Sequence, residues 1–275
     1  MILIDMHVHS TYSDGSYEVG ALVRYAKSRR LSLLALTDHD TTAGISSFLM
    51  TCKMLGVNGL TGIELAADEG YTLHILGYRF LENDEKFEKH LEQVREGRDD
   101  RNAAMCRKLQ SLGMDIPIEE VEAIAGGDVV ARPHIASLLR KKGYVRNLQE
   151  AFDKYIGAGG SAYVERERLS AEDCIEMIRN AGGLPVLAHP MQTRLDEGSL
   201  EKLIRRLKDA GLWGLEAVYA THTPEQTFDL MTIAAKNDLY TTAGTDFHGV
   251  YSAGVELGMA VSEDFLPWAR LGIRI

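Results

Sequence analysis

Cysteine is scarce in this 275-residue chain, and long apolar runs are missing. The three cysteines, Cys52, Cys106 and Cys174, are odd in number and far apart along the chain. They therefore predict neither a disulfide framework nor a thiolate metal site, and a reducing cytoplasm is the expected location. No apolar run approaches the roughly 18 residues that a bilayer-spanning helix needs. We expect neither a membrane span nor a secretory signal.

Basic residues are also fewer than acidic residues. Thirty lysines and arginines face forty acidic residues, which gives a formal net charge of −10. This balance argues against a protein that holds nucleic acid by a broad basic surface. Acidic substrates remain compatible with it if the site supplies its own positive charge. With 45% apolar residues, the chain is expected to bury a substantial globular core.

The two ends of the chain alternate short apolar strands with amphipathic helices. Strands are predicted at 2–8, 32–37, 57–65, 71–79, 184–188, 213–219 and 239–245. Helices are predicted at 17–30, 41–55, 171–181, 199–210 and 224–236. Seven or so strands separated by helices favour a parallel α/β barrel over an open doubly wound sheet.

The middle of the chain has a different pattern. A long charged helix is predicted at 83–112, followed by helices at 117–125, 133–142 and 147–156 with no strand between them. We predict that residues 82–165 form a helical insertion that serves as a substrate lid. Residues 1–81 and 166–275 would then form the barrel.

Histidine gives the first indication of chemistry, because six of the nine histidines end or line predicted strands. In Asp5-Met-His-Val-His9, two histidines lie two residues apart on a strand. Their side chains would project from one face roughly 7 Å apart and reach a single cation. Taken alone, the pair could equally be two polar residues at the end of a strand.

Other potential metal ligands follow the ends of further strands. They are His39, Glu64, His189, Asp246 and His248. His74 lies inside an apolar strand, where a core histidine bonded to a backbone carbonyl is the better reading of that residue alone. Asp14 is a weaker candidate, since Asp-Gly is also a turn signal. Because active sites of α/β folds form at the carboxyl ends of strands, the joint pattern predicts a shared metal site.

Four segments carry a family resemblance: Asp5-Met-His-Val-His9, Thr37-Asp-His-Asp40, Leu187-Ala-His-Pro190 and Gly244-Thr-Asp-Phe-His248. On these segments the chain resembles the polymerase and histidinol phosphatase (PHP) superfamily. The resemblance implies a distorted seven-stranded (β/α) barrel that holds three divalent metal ions. The helical insertion and the segment Ala131-Arg-Pro-His134 look like the small stand-alone phosphoesterases, which include nucleoside 3′,5′-bisphosphate phosphatases and ribonuclease AM.

The resemblance also implies a ligand set for each metal. The first metal would take His7, His9, Glu64 and Asp246. The second would take Asp14, His39 and His248. The third would take Glu64, His74 and His189, so that Glu64 bridges the first and the third. Nitrogen and carboxylate ligands suit Mn²⁺, Zn²⁺ or Fe²⁺.

The implied activity is that of a metal-dependent phosphohydrolase, with a hydroxide shared between two metals as the nucleophile. Its substrate would be a small nucleotide such as a nucleoside 3′,5′-bisphosphate, or the 5′ end of RNA. Arg132 and His134 would contact phosphate from the start of a helix, unless they are a surface arginine and a capping histidine. His222 would protonate the leaving oxygen or touch substrate, unless it is a plain loop histidine.

Further roles are open from the sequence. Arg166 and Arg168 could reach a second phosphate or lie on a solvated strand. Asp5 and Asp38 could orient the neighbouring imidazoles or serve as capping and turn residues. The alternative functions are hydrolysis of histidinol phosphate or a cyclic phosphate, amide or lactone hydrolysis, and a non-enzymatic nucleotide-sensing module.

Overall fold

A sheet of eight strands forms the centre of the molecule. The computed structural model describes residues 1–81, 84–127, 129–165, 169–252 and 254–273. The strands are β1 (Ile2–Asp5), β2 (Leu33–Leu36), β3 (Gly59–Ala66), β4 (His74–Tyr78), β5 (Leu184–Leu187), β6 (Gly214–Tyr219), β7 (Tyr240–Gly244) and β8 (Met259–Val261). Their order across the sheet is β7-β6-β5-β4-β3-β2-β1-β8.

The sheet curls into a nearly closed barrel. Beyond the end of β1, the Met6 amide donates to the carbonyl of Ala243 at 3.0 Å, and Val8 forms a parallel bridge with Phe247. The residues that follow β1 therefore lie beside the end of β7 and the residues that follow it. This contact brings the residues that follow β1 and β7 to the same rim.

Two expectations about the sheet were wrong. The strands number eight rather than seven, because β8 adds to β1 as a three-residue antiparallel strand too short to show a sequence pattern. The barrel is also not wholly parallel, since β4 runs antiparallel to both of its neighbours. Only seven residues connect β3 to β4, and a connection that short permits a hairpin but no parallel crossover.

Ten α-helices accompany the sheet in the described residues. They are α1 (Val19–Ser28), α2 (Ile45–Leu55), α3 (Glu85–Ser111), α4 (Ile118–Ala125), α5 (Arg132–Lys141), α6 (Leu148–Ala151), α7 (Ala171–Asn180), α8 (Glu197–Ala210), α9 (Pro224–Lys236) and α10 (Trp268–Leu271). The helices around the barrel are amphipathic: α1 buries Val19, Leu22, Val23 and Ala26 at helical spacing. The strand β2, covered on both faces, is apolar and buried throughout.

The segment between β4 and α7 is helical, as predicted. Its described residues contain α3 to α6 and no strand. The predicted helix at 147–156 is divided into the short α6 and a π-helical turn at Phe152–Ile156. Residues including Met105, Leu109 and Leu138 form a hydrophobic core among these helices, separate from the core under the barrel helices. The division of the chain at residues 82 and 166 stays a prediction, since both positions lie outside the described residues.

Among the described residues, none of the helices combines the length and the apolar character needed to cross a bilayer.

Candidate metal centre

Glu64 lies at the centre of a cluster of five imidazoles. It sits near the end of β3, and its side chain is only 1% exposed. Its Oε1 lies 2.7 Å from His74 Nδ1, 3.1 Å from His189 Nε2 and 3.3 Å from His7 Nε2. Its Oε2 lies 3.1 Å from His39 Nδ1 and 3.2 Å from His9 Nε2. Side chains from four strand ends therefore converge on one carboxylate.

The nine predicted ligands fall into three groups whose donor atoms lie within 4.8 Å of one another. The groups are His7, His9, Glu64 and Asp246; His9, Asp14, His39 and His248; and Glu64, His74 and His189. These groups match the three implied ligand sets, except that His9 also joins the second. The structure thus brings the nine side chains together, while metal binding by each of them stays a prediction.

Several atoms of this cluster are buried without a hydrogen-bond partner among the described residues. They are His7 Nε2, His9 Nε2, His39 Nδ1, Glu64 Oε2 and Asp246 Oδ1. Buried polar atoms are costly when left unsatisfied. Divalent cations bound by nitrogen and carboxylate oxygen would satisfy all of them at once. The donor set therefore fits a metal centre.

The electrostatics of the cluster also favour bound cations. Burial opposes ionisation of Glu64, but the imidazoles of His39, His74 and His7 hold the pKa of Glu64 well below its usual value. Burial likewise lowers the pKa of His9, yet the nearby carboxylates of Asp246 and Glu64 outweigh it and raise that pKa to about 10. In the metal-free protein, a proton on His9 thus supplies positive charge that a cation would otherwise provide.

The cluster also holds unusual backbone conformations. His189 has φ 26°, Asp246 has φ 55° and Asp40, beside His39, has φ 54°. Non-glycine residues adopt positive φ at a cost of order 1–3 kcal/mol and keep it only where the surroundings impose it. Three of the seven described non-glycine residues with positive φ thus lie in or beside the cluster.

Within the described residues, neither Asp5 nor Asp38 forms a hydrogen bond with an imidazole ring, and both accept from loop residues, which fits the alternative turn role. Asp5 accepts from the backbone amides of Thr245, Gly258 and His7, while burial raises its pKa to about 6. Asp38 accepts from the amide and hydroxyl of Ser10 and from the Ser13 hydroxyl. Both carboxylates therefore shape the loops that follow β1 and β7.

A buried carboxylate that sequence reasoning missed contacts one of the clustered imidazoles directly. Glu216, fully buried on β6, lies 3.1 Å from His7 Nδ1 and accepts from the His189 amide at 2.8 Å. The available signal was an acidic residue within the apolar strand Gly214-Leu-Glu-Ala-Val-Tyr219. Such a residue is costly to bury unless it has partners.

A cavity of about 160 Å³ opens beside the cluster. Its wall includes Asp14, His39 and His74 from the barrel, and Arg98, Arg101 and Arg132 from the helical segment. Arg132 begins α5, one residue before the predicted helix start, and its guanidinium carbon lies 5.7 Å from the centre of the Phe152 ring. Arg98 and Arg101 were not predicted, because on a helix as charged as α3 they resemble ordinary surface residues.

The two histidines predicted outside the metal sets belong to none of the three groups. His134 is buried, and its Nδ1 accepts from the Ala131 amide at 3.1 Å. This nitrogen therefore has the capping role that was the alternative prediction for His134. His222 is half-buried, and its Nδ1 lies 3.0 Å from the Ala217 carbonyl. Arg166 and Arg168 lie outside the described residues.

Comparison with known proteins decides the family. Residues 5–168 match the family described as the PHP domain. The chain belongs to this family. It is 35% identical over 256 residues to a 5′-3′ exoribonuclease of Haemophilus influenzae, with 92% of each chain covered. It is 30% identical to a 3′,5′-nucleoside bisphosphate phosphatase of Chromobacterium violaceum, with 100% of this chain and 98% of the relative covered.

A solved structure extends the similarity to the whole fold. It is described as an amidohydrolase from Chromobacterium violaceum with bound sulfate and no metal. The TM-score is 0.90 at 29% identity, covering 98% of this chain and 95% of the other. The expected family is confirmed for this PHP-family protein, and so is the expected class of enzyme, a metal-dependent phosphoesterase.

Proposed function

We propose that this PHP-family protein removes a phosphate from a small nucleotide, with a nucleoside 3′,5′-bisphosphate as the first candidate substrate and the 5′ end of RNA as the second. The observation that carries the proposal is the cavity between the Glu64 cluster and the three arginines. One wall can hold cations and the other carries fixed positive charge. A substrate with two phosphates fits both walls.

The nine clustered side chains would hold three divalent ions, and Mn²⁺, Zn²⁺ and Fe²⁺ all suit their nitrogen and oxygen donors. When bound, such ions lower the pKa of a coordinated water and neutralise charge on a phosphoryl group. The protein's own part is to orient these donors from separate strand ends. The same arrangement confines the reacting phosphate to the barrel mouth.

The arginines would bind the part of the substrate that does not react. A guanidinium binds phosphate oxygens through several directed hydrogen bonds, which suits Arg101 and Arg132 at the cavity wall. Because all three arginines come from α3 and α5, residues 82–165 would act as the substrate lid. This local positive charge makes an overall charge of −10 compatible with an anionic substrate.

His134 and His222 receive different proposed roles. Since His134 Nδ1 accepts the Ala131 amide, its proton lies on Nε2, which can donate to a phosphate oxygen. His222 Nδ1 donates to a carbonyl, and burial lowers its pKa. A neutral His222 presents Nε2 as an acceptor, so contact with a substrate hydroxyl suits it better than protonation of the leaving oxygen.

A substrate panel tests the proposal. Wild-type enzyme with Mn²⁺ would be assayed on nucleoside 3′,5′-bisphosphates, cyclic phosphates, short 5′-phosphorylated RNA, histidinol phosphate, amides and lactones. We expect the highest kcat/KM on a bisphosphate. Preferred turnover of an amide or lactone would overturn the phosphoesterase assignment, and preferred turnover of histidinol phosphate would overturn the nucleotide assignment.

The Arg132→Ala variant tests the lid in the same panel. Loss of a charge-assisted contact should cost about 1.5–3 kcal/mol on the bisphosphate, roughly 10- to 150-fold in kcat/KM. p-Nitrophenyl phosphate, which has a single phosphate, should lose much less. Metal content should stay at the wild-type level, because arginine is not a ligand; equal losses on both substrates would contradict the second phosphate site.

A further inference from the structure

Glu216 is a fully buried carboxylate that belongs to none of the three ligand groups, yet it contacts members of two of them. Its Oε1 and Oε2 lie 3.1 and 3.2 Å from His7 Nδ1. Its Oε2 also accepts from the backbone amide of His189 at 2.8 Å. One side chain on β6 thus reaches the residues that follow β1 and the residue that follows β5.

Space for this contact is provided by the end of β7. A Cβ atom added to Gly244 would lie 2.4 Å from His7 Cβ and 2.5 Å from Glu216 Oε1. Real Cβ atoms do not approach neighbouring atoms that closely. The absence of a side chain at residue 244 therefore lets the carboxylate and the imidazole meet.

The contact with Glu216 determines which nitrogen of His7 carries a proton. Both carboxylate oxygens of Glu216 lie at hydrogen-bond distance from His7 Nδ1, so we assign this nitrogen as the donor. In the neutral ring, the lone pair is then on Nε2. That atom lies 3.3 Å from Glu64 Oε1 and 3.3 Å from Asp246 Oδ1, in the first ligand group.

The contact between Glu216 and His189 involves the His189 backbone rather than its imidazole. His189 has φ 26° and ψ 62°, although a residue that precedes proline is steered towards extended conformations. The hydrogen bond from its amide to Glu216 stabilises this turn. As a result, His189 Nε2 lies 3.1 Å from Glu64 Oε1, in the third ligand group.

We propose that Glu216 is a positioning residue for both ligand groups that share Glu64: it fixes the Nε2 lone pair of His7 and the backbone turn of His189. The inference rests on the proposed metal centre. Glu216 itself takes no part in the reaction under this proposal. The ligand group of Asp14, His39 and His248 has no contact with Glu216 among the hydrogen bonds of the described residues and should be unaffected by its loss.

Glu216→Gln tests the inference in the metal-loaded enzyme. The amide has nearly the same size, but it replaces one acceptor oxygen by an NH2 donor, which faces His7 Nδ1 when the remaining oxygen accepts from the His189 amide. We expect metal affinity, measured by competition with a chelator, to fall about 10- to 100-fold for part of the bound metal while the rest keeps wild-type affinity. Tyr78→Phe is the matched control, since it removes another buried hydrogen bond in the barrel, to the Met6 carbonyl, without touching a ligand. It should retain all metal at wild-type affinity.

Two further measurements keep the inference falsifiable if Glu216→Gln does not fold. Glu216→Asp withdraws the carboxylate by one methylene and should show the same selective loss of metal. In the wild-type zinc-loaded protein, long-range ¹⁵N–¹H correlation should show the His7 proton on Nδ1. A proton on Nε2, or wild-type metal affinity in either Glu216 variant, would overturn the role of Glu216. Failure of wild-type enzyme to bind metal would instead overturn the proposed function.

Discussion

At the scale of single residues, the centre depends on Glu64, because both of its oxygens lie within 3.3 Å of histidine nitrogens. It belongs to the first and third ligand groups. A change at this residue should therefore affect more than one cation. The effect of a ligand in a single group should be smaller.

Glu64→Gln should lose more than one equivalent of metal per chain, since an amide cannot bridge two cations as a carboxylate does. Elemental analysis of protein purified with metal present measures this loss. His90→Ala, a change at an exposed histidine of α3, should retain the wild-type content. Loss of only one equivalent in Glu64→Gln would place the bridge at another residue.

The raised pKa of His9 predicts how metal binding depends on pH. In the metal-free protein, protonated His9 stabilises the fold below its unfolded value of 6.5, and this contribution is lost as pH rises through about 10. A metal can bind only the neutral imidazole, so binding at pH 7 must release protons. Metal affinity should thus increase from pH 6 to pH 8.

Titration calorimetry in two buffers with different ionisation enthalpies measures the proton release directly. The observed binding enthalpy should change with the buffer, in the sense of proton uptake by the buffer. Equal enthalpies in the two buffers would show that His9 is already neutral before metal binds.

The sequence pattern predicted eight of the nine clustered residues because histidines and carboxylates that end or line apolar strands are unusual, whereas the assignment of Asp14 rested on the family resemblance. It did not predict Arg98, Arg101 or the role of Glu216. The arginines lie on a helix crowded with charge, where only packing distinguishes a buried residue from a solvated one. Glu216 contacts a histidine 209 residues away, a relation that no local pattern contains.

At the scale of elements, α3 joins the helical segment to the loop that carries His39. Arg98 forms a buried ion pair with Asp40, and Arg95 donates to the Asp40 carbonyl at 2.9 Å. The Thr42 hydroxyl donates to Glu88 of the same helix. The position of the proposed lid is therefore coupled to a candidate metal ligand.

Arg98→Met should destabilise the protein by about 3–5 kcal/mol, because it leaves the Asp40 carboxylate buried without this partner. Urea unfolding of the metal-free protein measures the change. Replacing both partners, as Arg98→Met with Asp40→Asn, should recover part of the loss. Arg107→Met, an exposed change on the same helix, should stay within about 0.5 kcal/mol of wild type. A similarly small effect of Arg98→Met alone would show that the ion pair does not anchor α3.

The elements with a clear periodic pattern of apolar residues were predictable from the sequence, and those without such a pattern were not. The helix α9 was predicted at its observed bounds, Pro224–Lys236, because a Thr-Pro start and an amphipathic period mark it. The strand β8 has three residues and was missed. The direction of β4 follows from the length of its connection to β3, and the predicted strands at 57–65 and 71–79 already implied that short turn.

At the scale of the whole molecule, three arginines line the cavity where an anionic substrate would enter, although the chain carries a net charge of −10. The barrel supplies the candidate ligands, and the helical segment supplies the arginines. Neither part holds both walls of the cavity. Phosphate hydrolysis should consequently require metal at the barrel and intact docking of the helices.

Phosphate release from adenosine 3′,5′-bisphosphate, followed before chelation, after chelation and after return of Mn²⁺, tests the metal-dependent centre most directly. Activity should disappear with the metal and return with it in the wild-type protein, while Glu64→Gln should stay inactive at the same Mn²⁺ concentration. Undiminished release by fully chelated wild-type protein, or wild-type release by Glu64→Gln, would contradict a catalytic metal centre at Glu64.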